Sequence, residues 1–452
     1  MRKVHFIGIG GIGVSALAQY YLATGWQVSG SDLVASDLTK LLMDKGADIK
    51  TGGEFEDSIT EDLERVIYSP AVEDDSLELK KTRELKIPTL KYPQALGELV
   101  DRHTTLAVSG THGKSTTTSM LASILIEAGL DPTVIVGTRL AEFGGSNFRK
   151  GKSKYLIIEA DEYDRAFWSY KPHIAVITNI DEDHLDTYGD MAGVVSGFNQ
   201  YLKNLPADSI AILNSQDEHT QSVVAGVSCK IGFFNEIGIE LNWPLQIPGS
   251  FNQINAEAAW QVAKLIGVER NVAFKALQDF KGVWRRLEKL EPIQKIYPED
   301  TTFFSDYGHH PTEIRTTLEG LKSEYPDKQI TIIFQPHQIK RVTMLFDDFI
   351  EAFDSADKVC LLPIYQVAGR EGEGGKTSED LYEALLEREK ELDKNTRIFY
   401  KETLKEALAF IEEGVVIFMG AGDIDTSVRE HFRSKLMPRE GQVLSVAFDN
   451  NI

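Results

Sequence analysis

Residues Leu106 to Leu121 read "LAVSGTHGKSTTTSML": a short apolar run, a glycine turn and the start of a helical pattern. Strand, loop and helix in that order form the setting a phosphate-binding loop requires. The usual pattern is G-x-x-x-x-G-K-[ST], and Gly113-Lys114-Ser115 supplies its end. Val108 stands where the first glycine belongs, and Gly110 follows two places later. Backbone N–H groups, not glycines as such, hold a phosphate. A loop that turns at Gly110 therefore keeps the function, with Gly110, Thr111, Gly113, Lys114, Ser115 and Thr116 around an ATP. Lys114 is expected at the β/γ-phosphates and the Ser115 hydroxyl on Mg²⁺. The competing reading is a structural turn, and the residues downstream decide against it.

Two later apolar runs end in acid. "YLIIE" stops at Glu159 within "EADEYD", and "IAVITN" leads into "IDEDHLD" with His184. Parallel sheets place ligands at the carboxyl ends of their strands. Mg²⁺ prefers oxygen donors, with phosphates completing its shell. Glu159 and His184, which leave apolar strands directly, fit a surface reading less well. Asp161, Glu162 and Asp181 are read as solvated acidic surface.

Outward from this centre, apolar runs such as "VHFIG", "RVIYS", "ITIIFQP" and "VVIFMGAGD" alternate with longer helical patterns. That alternation predicts α/β architecture, with parallel sheets covered by helices. Three segments are expected, at residues 1–101, 102–292 and 293–452. A glycine-rich "GREGEGG" lies at residues 369–375, and a loose polar tail follows about Arg433. In the first segment Gly8, Gly10, Gly11 and Gly13 match G-x-G-x-x-G between strand and helix, and Asp32 ends the next strand. The motif speaks for a pyrophosphate on a helix N-terminus. By itself it leaves a dinucleotide and other diphosphates open. Met1-Arg2-Lys3 before an apolar run imitates a secretion signal. Regular glycine spacing and the amphipathic continuation "AQYYLATGW" favour a buried first strand instead.

The 452 residues carry 48 Lys+Arg against 69 Asp+Glu, a net charge of −21. Such a field repels phosphodiester backbones and anionic lipid, which argues against nucleic-acid partners and membrane insertion. Cys229 and Cys360, far apart and flanked by apolar residues, read as core thiols of a cytoplasmic protein.

With "GTHGKSTTT", "EADEYD", "DHLD", "PGSFNQINAEAA", "RRLE", "YGHHPTEI", "FQPH" and "GAGDI" in this order, the chain resembles the Mur ligase family, and within it the alanine-adding branch, over residues 1–430. The resemblance implies a Rossmann-like UDP-binding domain, a P-loop ATPase-like central domain and a Rossmann-like C-terminal domain that takes the amino acid. It implies ATP with Mg²⁺ (Mn²⁺ as substitute), UDP-N-acetylmuramate and L-alanine as substrates, and a monomer or weak dimer. Gly8, Gly10, Gly11, Gly13, Asp32 and Ser69 then hold the UDP-sugar. Lys114, His112, Glu159, His184 and Arg286 are the implied catalytic set, with His112 toward the substrate carboxylate, and Glu159 and His184 are the implied metal ligands with Ser115. Asn252 and Asn255 face adenine, and Asp306, Tyr307 and His309 close over the nucleotide. His337 and Arg341 fall on the substrate side. Phe251 and Gln338 stand where the family more often has His and Arg, and Ser115 where Thr is usual. The alternatives are a recycling ligase that attaches a tripeptide to the same sugar, and a nucleotide-sugar binding protein without catalysis. An NAD-linked dehydrogenase is motivated by the first glycine loop alone.

Overall fold

A computed structural model describes residues 2–290, 297, 300–366, 374–392 and 395–436. Position 293, where the third segment was expected to begin, lies outside them, as do most of the "GREGEGG" run and the tail beyond Leu436. The chain divides into two compact units, Met1–Trp284 and Arg285–Ile452.

The first unit holds two sheets among its described residues. One consists of β1 (Lys3–Ile7), β2 (Gln27–Asp32), β3 (Asp48–Thr51), β4 (Arg65–Tyr68) and β5 (Thr89–Lys91) in the order β3-β2-β1-β4-β5. All its pairings are parallel. The chain leaves β1 toward β2 and returns on the other side as β4, so the strand order reverses there. Gly8 and Ser69 follow the two strands that flank this switch, and Ser69 N donates to Ile7 O at 2.9 Å. A crevice at such a switch is where open α/β sheets bind ligands.

The second sheet is built from β6 (Thr104–Ser109), β7 (Thr133–Leu140), β8 (Ser146–Arg149), β9 (Tyr155–Glu159), β10 (Ile174–Ile177), β11 (Ile210–Asn214) and β12 (Lys230–Phe234). Its order is β12-β11-β10-β6-β9-β7-β8, parallel except for the β7–β8 hairpin. Leu106, Val108, Ile157 and Val176 are wholly buried. Each contributes about 1.5–3 kcal/mol of burial, which explains the near-continuous apolar runs. Helix Lys114–Glu127 is buried on almost every turn, enclosed by this sheet and by helix Ser250–Leu265. Its small "STTTS" start suits that enclosure. The two cysteines are free and buried.

The second unit carries β13 (Glu288–Lys289), β14 (Thr302–Asp306), β15 (Ile330–Phe334), β16 (Lys358–Leu361), β17 (Arg397–Tyr400) and β18 (Val415–Met419). The order is β13-β14-β18-β15-β16-β17, with only the β13–β14 edge antiparallel among the described pairings. Glu288–Lys289 thus sits at the edge of the third sheet. No helix of the described residues is long and apolar enough to cross a membrane.

Candidate active site

β6 lies between β9 and β10, with Val108 opposite Glu159 and Ile177 opposite Ser109. Three strand ends therefore converge, bringing the Gly110–Ser115 loop, the 159–162 acids and the 178–184 turn to one place. Gly110 (φ +123°) and Gly113 (φ +82°) take backbone conformations that side chains disfavour, and each also meets a close neighbour. A Cβ on Gly110 would stand 2.1 Å from Thr178 Oγ1, and one on Gly113 2.4 Å from Asn255 Oδ1. The turn after β10 grips the loop's backbone. Thr111 N donates to Asn179 O at 3.0 Å and His112 N to Asn179 Oδ1 at 2.8 Å. Thr178 Oγ1 donates to His112 O at 2.6 Å.

Lys114 Nζ donates to the loop's own carbonyls at Gly110 (2.7 Å) and Thr111 (3.1 Å), and to both oxygens of Glu162 at 3.0 and 2.9 Å. Burial opposes the ammonium, but Glu162, Asp161 and Glu159 outweigh it and hold Lys114 above the ordinary lysine range. Burial likewise pushes Glu162 up to about 7 against the pull of Lys114. Glu162 is only 2% exposed, so its reading as solvated surface is wrong. Its partner Lys114 arrives from a different strand end, and the pair is legible only once the sheet brings them together. Asp161 does remain exposed, 3.9 Å from Lys114. Asp181 is half-buried and meets His112 Nε2 at 2.9 Å.

Ser115 Oγ donates to both oxygens of Glu159 at 3.0 Å, and Gly137 N donates to Glu159 Oε2 at 2.7 Å. Burial raises the Glu159 carboxyl, with Lys114 pulling the other way. His184, at φ +54°, puts Nε2 3.6 Å from Glu162 Oε1. Asp161, Glu162 and His184 offer ligand atoms all within 4.8 Å of one another. Two carboxylates and an imidazole, beside the Ser115–Glu159 pair, fit an oxygen-seeking divalent cation completed by phosphates. Tyr188, unnoticed in the sequence, donates its hydroxyl to Glu162 O at 2.6 Å. Asn252 and Asn255 open helix Ser250–Leu265 beside Gly113, joined at 3.3 Å.

The first glycine loop is built differently. Asp32 Oδ2 accepts from Gly10 N at 2.8 Å, so this carboxylate holds the loop itself. Gly13 makes room for Tyr92, whose ring a Cβ would approach to 2.7 Å.

In the second unit Arg286 donates to Glu313 Oε1 at 2.9 Å, and its guanidinium lies 5.4 Å from the Tyr307 ring. Arg285 covers the same ring at 4.8 Å and donates to Gly422 O at 3.1 Å. Asp306 accepts from Leu287 N at 2.7 Å and Gly308 N at 2.6 Å. Burial lifts its carboxyl to about 6 although Arg286 opposes. His309 N donates to Glu313 Oε2 at 3.0 Å. His337 stacks on Tyr365 at 5.8 Å and lies 6.1 Å from His309. Arg341 stands in helix Ile339–Met344. The sequence-derived residues therefore form three groups, two in the first unit, around Gly8–Gly13 and around Gly110–Ser115, and one in the second.

Residues 3–104 match the model of the Mur ligase family, catalytic domain. Residues 108–236 match the Mur ligase middle domain and residues 285–422 the Mur ligase, glutamate ligase domain. UDP-N-acetylmuramate–L-alanine ligase of Aquifex aeolicus is 37% identical, the alignment covering 96% of this chain and 98% of the relative. The Hydrogenobaculum protein of the same name is 38% identical over 96% and 99%. Among solved structures, the Thermotoga maritima UDP-N-acetylmuramate–alanine ligase superposes with a TM-score of 0.77 at 28% identity, covering 96% of this chain and all of that one. A murein peptide ligase from Psychrobacter arcticus shares the fold, with a TM-score of 0.69 at 22% identity over 99% of this chain and all of the other.

Proposed function

The chain belongs to the Mur ligase family, and on that premise we propose that it joins L-alanine to the carboxylate of UDP-N-acetylmuramate at the expense of ATP, in peptidoglycan precursor synthesis in the cytoplasm. The observation that carries this reading is the Lys114, Ser115, Glu159, Glu162 and His184 cluster on three adjacent strand ends. The three segments, 1–101, 102–292 and 293–452, take the UDP-sugar, the nucleotide and the amino acid in that order.

A carboxylate does not condense with an amine until one of its oxygens becomes a leaving group. Transfer of the terminal phosphoryl of ATP gives an acyl phosphate. The alanine α-amine then attacks the acyl carbon, and phosphate leaves from the tetrahedral intermediate as the amide forms. Charge on the transferred oxygens is the main obstacle, and fixed positive groups lower it most. Lys114 supplies one such group by exchanging Glu162 for phosphate oxygens. Gly110 and Gly113 shape the loop that presents its backbone N–H groups. Asn252 and Asn255 orient the adenine end. His112, held by Asp181, borders the carboxylate. Ser115, Glu159, Glu162, Asp161 and His184 would hold Mg²⁺, which when bound screens phosphate charge. In the second unit Asp306, Tyr307 and His309 serve the nucleotide, and His337 and Arg341 the substrate side.

Incubation with UDP-N-acetylmuramate, ATP, Mg²⁺ and a panel of amino acids and tripeptides tests the proposal. ADP release with L-alanine is expected. Turnover with a tripeptide alone assigns the recycling reaction instead, and no turnover with any acceptor leaves a binding protein.

A further inference from the structure

Helix Ile12–Ala23 carries the first glycine loop at its start, yet its buried polar residues face the neighbouring sheet. Gln19 and Asn147 are 2% and 0% exposed. Gln19 Nε2 donates to Asn147 Oδ1 at 2.7 Å. Asn147 Nδ2 donates to the Ile12 carbonyl and, at 2.9 Å, to Ser15 Oγ. Gln19 Oε1 accepts from Ser146 Oγ at 2.9 Å and Lys45 Nζ at 2.5 Å. The Ile12 carbonyl has no proton to give, which fixes which end of the Asn147 amide faces it. Both amides are therefore engaged at oxygen and nitrogen, in one orientation.

The position of this pair matters more than its number of bonds. Ile12 and Ser15 form the first turn behind Gly8–Gly13. Asn147 lies on β8, the partner of β7. Gly137 of β7 donates to Glu159, which receives the Ser115 hydroxyl. A continuous series of contacts thus runs from the first glycine loop to the second, through the irregular stretch of the β7–β8 pairing. Apolar packing alone, such as Tyr20 against Phe148 at 6.4 Å, tolerates sliding. A buried amide pair does not, because any slip strands its donors and acceptors without water.

We propose that Gln19 and Asn147 are positioning residues for the ligation. They fix the UDP-binding loop against the sheet that carries Lys114, and so set the reach from the muramyl carboxylate to the terminal phosphate of ATP. The proposal rests on the ligase reading above. Small displacements of reacting groups cost rate, not ground-state affinity, when each ligand keeps its own loop.

The test is the full-length Gln19→Met/Asn147→Leu double variant, which removes both amides together, so that neither is left buried without the other, while Ser146 Oγ and Lys45 Nζ lose their acceptor on Gln19. Asn147→Ser serves if the double variant does not fold. UDP and ATP affinities by titration, both KM values, kcat and Tm are measured beside the parent. The expected result is a kcat lower by about tenfold to a hundredfold, with affinities and KM within about twofold of the parent, the range in which ground-state binding is unchanged. A folded variant with the parent's kcat, or one altered only in KM or Tm, overturns the proposal. A parent that binds UDP and ATP but releases no phosphate with UDP-N-acetylmuramate and any amino acid overturns the ligase reading, and the positioning role with it.

Discussion

The two glycine loops of the first unit share a plan, strand then glycine turn then helix, but differ in what surrounds them. Around Gly8–Gly13 the Asp32 carboxylate is spent on the Gly10 N–H, and Ser69 and the Tyr92 ring are close neighbours. Around Gly110–Gly113 stand Lys114 bonded to Glu162, Ser115 bonded to Glu159, and His184 at 3.6 Å from Glu162. On the proposed function, one plan would serve retention in the first loop and chemistry in the second. The decisive variable is what the neighbouring strand ends deliver, because a glycine turn by itself offers only N–H groups.

Lys114→Ala breaks the contrast most sharply. Losing the main phosphate cation is expected to lower kcat by about a thousandfold or more, with UDP affinity intact. ADP release and UDP titration check this, and an activity within tenfold of the parent would remove Lys114 from the chemistry. Next comes Glu162→Ala, which strips the buried ammonium of its two-oxygen partner. Destabilisation of about 3 kcal/mol is expected, measured by denaturant unfolding, and saturating ATP should recover part of it through its own phosphates. A change below the experimental error would mean that the loop carbonyls suffice for Lys114.

Asp32→Ala asks whether the first loop is only held, or also filled, by that carboxylate. Loss of a charge-assisted bond to Gly10 is worth about 1.5 kcal/mol, which predicts roughly tenfold weaker UDP-sugar binding and unchanged ATP binding. Equal losses for both ligands would contradict the separation of the loops. The smallest effect is expected from Ser36→Ala, which removes the cap of helix Asp37–Asp44 beside the first loop. About 1 kcal/mol of stability should go without a change in kcat, and thermal unfolding with a parallel assay shows whether it does.

Much of the site was legible before folding. Lys114 and Ser115 follow from the loop pattern, and Glu159 and His184 from apolar runs that end in or lead into a charged group. Glu162 was not legible, since an acidic run reads as solvent-facing until the cation that buries it is known. Tyr188 gave no signal, because a hydroxyl bonded to a distant carbonyl leaves no periodicity. Gln19 and Asn147 were hidden for the same reason. Glu288–Lys289 is too short a strand to announce itself by alternation, and its place at the edge of the third sheet comes from pairing with β14.

Local order along the chain determined that this is an α/β protein with two phosphate-type loops, because strand, turn and helix propensities act over a few neighbouring residues. The sequence alone also placed those loops at strand ends, where ligands bind. Which carboxylate faces Lys114, which asparagines brace the loop, and which amides tie the first sheet to the second were decided only by tertiary structure. Those contacts join residues from 48 to 135 positions apart. Their partners are specified by strand order and burial, which withhold water from unpaired polar groups, and no local pattern encodes them.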